Sequence, residues 1–152
     1  MQREFHTKID IGVPAARAWD VLSDFDSFSE WCPTLREVRG SASLGAKLAL
    51  RLAKRAGGND TIGLSAAVRT VDAPRELAWG GGAPGAPWLL DVHHWFEIEP
   101  LGPDRCRLHH GERFRGALLG LLWWAVADRV EDGYGAFNSA FKKRCEGGRV
   151  SA

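Results

Sequence analysis

The hydrophobic period of this chain changes for good at Ala117, and that change limits the possible folds more than any other feature. Before it, outside residues 14–33, apolar residues mostly recur every second position. In EFHTKIDI (residues 4–11), Phe5, Thr7, Ile9 and Ile11 share one face and His6, Lys8 and Asp10 the other, the mark of a half-buried strand. After it, Leu119, Leu122, Trp123, Val126, Val130, Phe137 and Phe141 recur three or four residues apart. That spacing predicts one long amphipathic helix of about seven turns, with a local break near Gly133 or Gly135. A helix with a single apolar stripe has to bury it, and the strands before it offer the only matching surface.

Further strands are predicted over Leu35–Arg39, 44–53, Thr61–Val71, Glu76–Gly80, Leu89–Glu99 and Arg105–Phe114. The patches AGGND (56–60), Ala73-Pro74, GGGAPGAP (80–87) and PLGPD separate them; GGGAPGAP reads as a flexible connection. Pro14 opens a short helix with Ala15, Ala18, Trp19 and Leu22 at helical spacing. Asp24 or Asp26 can cap a second short helix holding Phe28 and Trp31, which Pro33 ends. An antiparallel meander has one face to bury. Curving it around the last helix leaves an internal hollow, with the short helices plugging one edge. The expected class is α+β, as a single domain over 1–146 with a flexible tail at 147–152.

Twenty basic and nineteen acidic residues give a net charge of +1, so nothing in the charge balance favours nucleic acid. The longest apolar run, Ala117–Ala127, is too short to span a bilayer, and the polar start MQREFHTKID has no apolar signal core. A cytoplasmic protein is expected. Cys32, Cys106 and Cys145 have neither disulfide nor zinc spacing and read as buried thiols. Seven Trp and seven Phe are a heavy load of rings for 152 residues, and four of them fall in or beside VLSDFDSFSEWCP (21–33).

Five segments together resemble the START-like (SRPBCC) superfamily, and within it the bacterial polyketide cyclase/dehydrase-like branch. They are IDIGVPAARAWDVLSDFDSFSEWCP (9–33), VRG (38–40) with Gly45 behind it, ELAWGG (76–81), HWFEIEPLG (94–102) and HGERFRG (110–116). The resemblance runs from Ile9 to about Lys143. It implies a helix-grip fold: a seven-stranded antiparallel sheet curved around a long C-terminal helix, with two short helices after the first strand and a hydrophobic cavity inside. Asp24-Phe25 and Trp31-Cys32-Pro33 match the DF…WxP segment, although Cys32 stands where Asn is common. His94, Phe96, His110, Glu112 and Phe114 match inward positions of the last two strands. The family holds carriers, cyclases, oxygenase subunits and co-chaperone-type regulators, so membership alone selects no activity.

Strand parity gives the candidate site. Cys106, Leu108, His110, Glu112 and Phe114 share the apolar face of one strand, and Leu90, Val92, His94, Phe96 and Ile98 that of its neighbour. Trp95 then points outward unless a bulge reverses the local register. His94, His110 and Glu112 project into one space. A carboxylate beside an imidazole can move protons, with Glu112, coupled to His110, as base and His94 as acid. The alternative is structural, a His110–Glu112 pair tied to backbone near Trp31. HxE on one strand matches no metal motif, and aldol closure needs no cofactor, so neither is expected. Trp19, Phe28, Trp31, Leu64, Trp79, Phe96, Phe114, Trp123, Val126 and Val130 are the expected lining for a ligand, with Trp124 turned away from it.

Three functions follow as expectations. The first is binding, transport or sensing of a small hydrophobic molecule, lipid-like or aromatic, by a monomer or homodimer. The second is cofactor-free cyclisation and dehydration of a poly-β-keto substrate. The third is an interaction module that exposes Trp95 or Trp124.

Overall fold

The computed structural model describes residues 1–147, apart from the side chain of Val126. Its elements run β1 (Gln2–Ile11), α1 (Ala15–Ser23), a 3-10 turn (Phe25–Ser27), α2 (Phe28–Trp31), β2 (Leu35–Arg39), β3 (Lys47–Ala53), β4 (Thr61–Asp72), β5 (Glu76–Gly82), β6 (Asp91–Gly102), β7 (Arg105–Arg115) and α3 (Leu119–Gly147). All seven strands form one antiparallel sheet in the order β1-β7-β6-β5-β4-β3-β2. The sheet grips α3, and the helix-grip architecture expected from the sequence is the observed one. Register shifts between Leu35 and Glu37, Val68 and Thr70, and Pro100 and Gly102 increase local twist and help the sheet curve.

Two-residue alternation sets which side chains enter the grip. Directly paired residues point to the same face, so the register Val68↔Trp79, Trp79↔His94, His94↔Glu112 and Glu112↔Phe5 runs one row across the inner face. The next row is Leu77–Phe96–His110–Thr7, and the one after holds Ile98, Leu108 and Ile9. Trp95 points outward as parity requires. It lies half-buried across Gly111, where any Cβ would strike the indole ring.

α3 packs over β1 and β7 and meets α1 and α2. Leu119 is buried at its start, and in its second half the buried positions Tyr134, Phe137, Asn138, Phe141 and Cys145 keep helical spacing. With Phe28, Phe96, Ile98 and Leu108 they make a closed core. The helix is continuous through Gly133 and Gly135, so the expected break does not occur. The expected tail falls, from Gly148 onward, outside the described residues; Gly147 still belongs to α3.

Two local expectations are corrected. Asp24 precedes the 3-10 turn but makes no side-chain cap; instead Ser27 Oγ donates to the Asp24 carbonyl at 2.9 Å. Gly80–Gly82 are the end of β5, not a flexible link. A Cβ on Gly81 would sit 2.7 Å from the Ser65 carbonyl oxygen, and one on Gly82 would strike that of Leu90. Glycine here lets neighbouring backbones come close.

Candidate functional site

The grip is filled at one end and open at the other. At the filled end the ring of Phe137 lies 4.6 Å from that of His110, 5.4 Å from Phe96 and 5.5 Å from Trp31. Phe28 and Phe96 are enclosed by protein atoms on every side. They were expected as lining and are core instead, because Phe137 of α3 packs against both. Trp31 is half-buried against Phe28, Phe137 and Phe141, and Trp19 against the same core.

At the open end Ile62 and Leu64 meet solvent, whereas Trp79 and Phe114 are buried. Leu64 is 44% exposed although it pairs with buried Leu50 on the same face. Phe114 and half-buried Trp123 pack at 5.6 Å, with Trp123 stacked on Phe5 at 5.4 Å. Trp79 backs this region, its ring 5.3 Å from that of His94, and Val130 is half-buried on α3. Val126 was also expected here; its side chain lies outside the described residues. Trp124 is turned out and 81% exposed.

Where the two ends meet, six polar side chains form a continuous chain. Thr7 Oγ1 donates to the His110 main-chain carbonyl at 3.0 Å, and Asn138 Nδ2 donates to Thr7 Oγ1 at 2.9 Å. Asn138 Oδ1 lies 2.9 Å from His110 Nδ1. His110 Nε2 lies 2.7 Å from His94 Nε2, and His94 Nδ1 lies 3.6 Å from Glu112 Oε1. Tyr134 donates its hydroxyl to Glu112 Oε2 in a short hydrogen bond. His94 and Glu112 are each 16% exposed, whereas His110 is sealed.

The surroundings set the protonation of the buried members. Burial disfavours the imidazolium of His110, and the neighbouring His94 adds to this; the Asn138 hydrogen bond opposes it, and the net shift is well below the ordinary histidine value. Burial, then the charge of Glu112, holds the Tyr134 phenol far above its usual range. His110 is therefore neutral, and Tyr134 remains a proton-bearing donor.

His94, His110 and Glu112 do come together, in a different order from that expected. Glu112 faces His94 rather than His110, and His94 bridges the two. Neither His110 nor Glu112 is tied through its side chain to the backbone around Trp31. Thr7, Asn138 and Tyr134 were missed. Tyr134 is the single tyrosine of the chain and sits four residues after Val130 and three before Phe137, on the stripe already traced along the helix. Its position was therefore readable. The three cysteines are buried, and burial raises each thiol, Cys145 to about 12. Among the described residues no group of three or more His, Cys, Asp or Glu gathers so as to hold a metal ion, and no helix is long and apolar enough to cross a membrane.

No curated protein matches the sequence. Several solved structures share its fold. The Zhui aromatase/cyclase from Streptomyces sp. R1128 superposes with a TM-score of 0.78 at 17% identity, covering 96% of this chain and 94% of that one. A point mutant of norcoclaurine synthase from Thalictrum flavum, in complex with a transition state analogue, gives 0.72 at 12% identity over 98% and 97%. A START superfamily protein from Mycobacterium smegmatis gives 0.68 at 17% over 94% and 97%. At these identities the likeness establishes the fold. The family described as "Polyketide cyclase / dehydrase and lipid transport" matches residues 2–146, and the chain belongs to that family.

Proposed function

We propose that this protein binds a small, mainly apolar carbonyl compound at the open end of the grip and catalyses a cofactor-free cyclisation and dehydration on it. The observation that carries this reading is the Glu112–His94 pair. Its two members lie 3.6 Å apart on the inner face, each keeps 16% of its side chain exposed, and Tyr134 and His110 anchor them on either side. Two enzymes among its structural relatives, an aromatase/cyclase and norcoclaurine synthase, lend support to an enzymatic role.

The reaction balances on these two groups, starting from a Glu112 carboxylate and a His94 imidazolium. Glu112 takes a proton from a carbon beside a carbonyl. The resulting enolate attacks a second carbonyl, forming a carbon–carbon bond and an alkoxide, which takes the Nδ1 proton of His94. His94 then removes the second proton from the same carbon, the carbon–oxygen bond breaks, and protonated Glu112 supplies the proton on which water departs. Both groups end as they began. Holding the reacting carbons at about 3–3.5 Å supplies much of the acceleration. Phe114, Trp123, Trp79 and Leu64 are the apolar surfaces that would fold the substrate.

Turnover of a poly-β-keto substrate by wild type, Glu112→Gln and His94→Ala tests the proposal. A rate loss of roughly 10²-fold or more in both folded variants is expected; equal turnover by all three contradicts it. Exposed inward-facing Ile62 and Leu64 also favour a second reading, a carrier or sensor of an apolar ligand. Saturable binding of aromatic or fatty compounds, recovered by native mass spectrometry, without any turnover would select it.

A further inference from the structure

The hydrogen bonds of the polar chain have a fixed direction, and its origin is a main-chain carbonyl. The carbonyl oxygen of His110 can only accept, so Thr7 spends its one hydroxyl hydrogen there. Towards Asn138, Thr7 Oγ1 must then accept, which makes the facing Asn138 atom the amide nitrogen. The other amide atom, Oδ1, is an acceptor and faces His110 Nδ1, so that nitrogen bears hydrogen. His110 is sealed and neutral, which leaves its Nε2 as a lone pair. His94 Nε2 lies opposite at 2.7 Å and must donate. The circuit leaves the His110 carbonyl and returns to the His110 ring through two side chains from β1 and α3.

We infer that Thr7 and Asn138 are positioning residues that hold His110 in its Nδ1–H tautomer, and so fix His94 with hydrogen on Nε2 and with Nδ1 as the ring nitrogen that exchanges a proton. This inference rests on the proposed function for its catalytic meaning but not for its chemistry. Of the four ring nitrogens, three are committed to the chain. The fourth, His94 Nδ1, faces Glu112 Oε1 at 3.6 Å, and both side chains keep 16% exposure. A ring flip would put carbons where both nitrogens stand and break the contact with His110, and neighbouring rings crowd against it: the His94 ring is 4.8 Å from that of Phe96, 5.3 Å from that of Trp79 and 4.8 Å from that of His110. A single exchangeable site keeps the proton on the substrate side and out of the core. Other groups that face the pair are the Tyr134 hydroxyl from α3 and His110 from β7; Arg113 and His109 of β7 and His93 of β6 point to the outer face.

Nitrogen-15 NMR of the imidazole rings tests this with no substrate present. Wild type is expected to show His110 with a pyrrole-type Nδ1 and a pyridine-type Nε2, and His94 with hydrogen on Nε2. Thr7→Ser keeps the donor and acceptor and is expected to keep this pattern. Thr7→Val removes both, frees the Asn138 amide to invert, and is expected to mix the His110 tautomers. Wild-type His110 with hydrogen on Nε2 would overturn the inference, as would a folded Thr7→Val with an unchanged ring pattern. If Thr7→Val does not fold, the wild-type and Thr7→Ser spectra still decide. With a turned-over substrate in hand, Thr7→Val is expected to lower kcat roughly tenfold while KM holds, a part of the full acid–base contribution. Should no substrate be turned over, the catalytic reading falls and the tautomer result stands by itself.

Discussion

The two ends of the grip are built from the same kinds of side chain and have different roles. At the closed end, Phe28, Phe96, Phe137 and Phe141 fill the space between sheet and helix completely. At the open end, Phe114, Trp123 and Leu64 face the same interior, yet Leu64 keeps solvent contact. The difference comes from cover. α1, α2 and the second half of α3 converge on the closed end, while the first half of α3 presents exposed Leu121 and Trp124 to solvent. One end supplies stability and the other, on the function proposed, would supply surface for a ligand, with the polar chain at the seam. A hydrophobic residue on the inner face therefore has no fixed meaning until its cover is known.

Phe137→Ala should give the largest effect, because it empties the middle of the closed end. A loss of about 3–5 kcal/mol is expected, read from urea unfolding. The parallel Leu64→Ser should leave stability within about 0.5 kcal/mol while weakening apolar ligand binding several-fold. Similar losses of stability at both sites would abolish the distinction between the ends.

The seam should respond to pH. The folded protein holds His110 neutral by burial, with its proton affinity below the unfolded value. Unfolded chains therefore bind the extra proton first. The stabilisation is complete above the ordinary histidine value of about 6.5 and is lost as pH falls from there towards the depressed folded value. One proton allows a slope of at most ~1.4 kcal/mol per pH unit. Denaturation midpoints of wild type and His110→Gln across this range measure it; an identical acid limb in both would remove His110 as its source.

Much of this was legible from the residues. Strand pleat fixes direction every second residue, which placed His94 and Phe96 on one strand and Cys106 to Phe114 on the next. The three- and four-residue spacing after Ala117 marked α3, including the position of Tyr134. What parity cannot carry is partnership between distant elements. Thr7, Asn138 and His110 are 103 and 28 residues apart along the chain, and only the β1–β7 register and the path of α3 bring them together. Cover was equally hidden. Phe28 and Leu64 both read as lining, yet one is packed among Phe25, Trp31 and Phe137 of α3 and the other keeps 44% of its surface exposed. Gly80–Gly82 read as a loop because glycine signals turns more often than it signals two backbones in close approach.

On the function proposed, the open end moves protons on a carbonyl compound through Glu112. Hydrogen–deuterium exchange at the methyl carbon of an aryl methyl ketone, followed by NMR in heavy water, tests it without requiring the natural substrate. Wild type is expected to catalyse saturable exchange that falls roughly 10²-fold in Glu112→Gln with an unchanged unfolding midpoint. Exchange at the same rate in the two proteins, with the ketone shown to be bound in both, would contradict it.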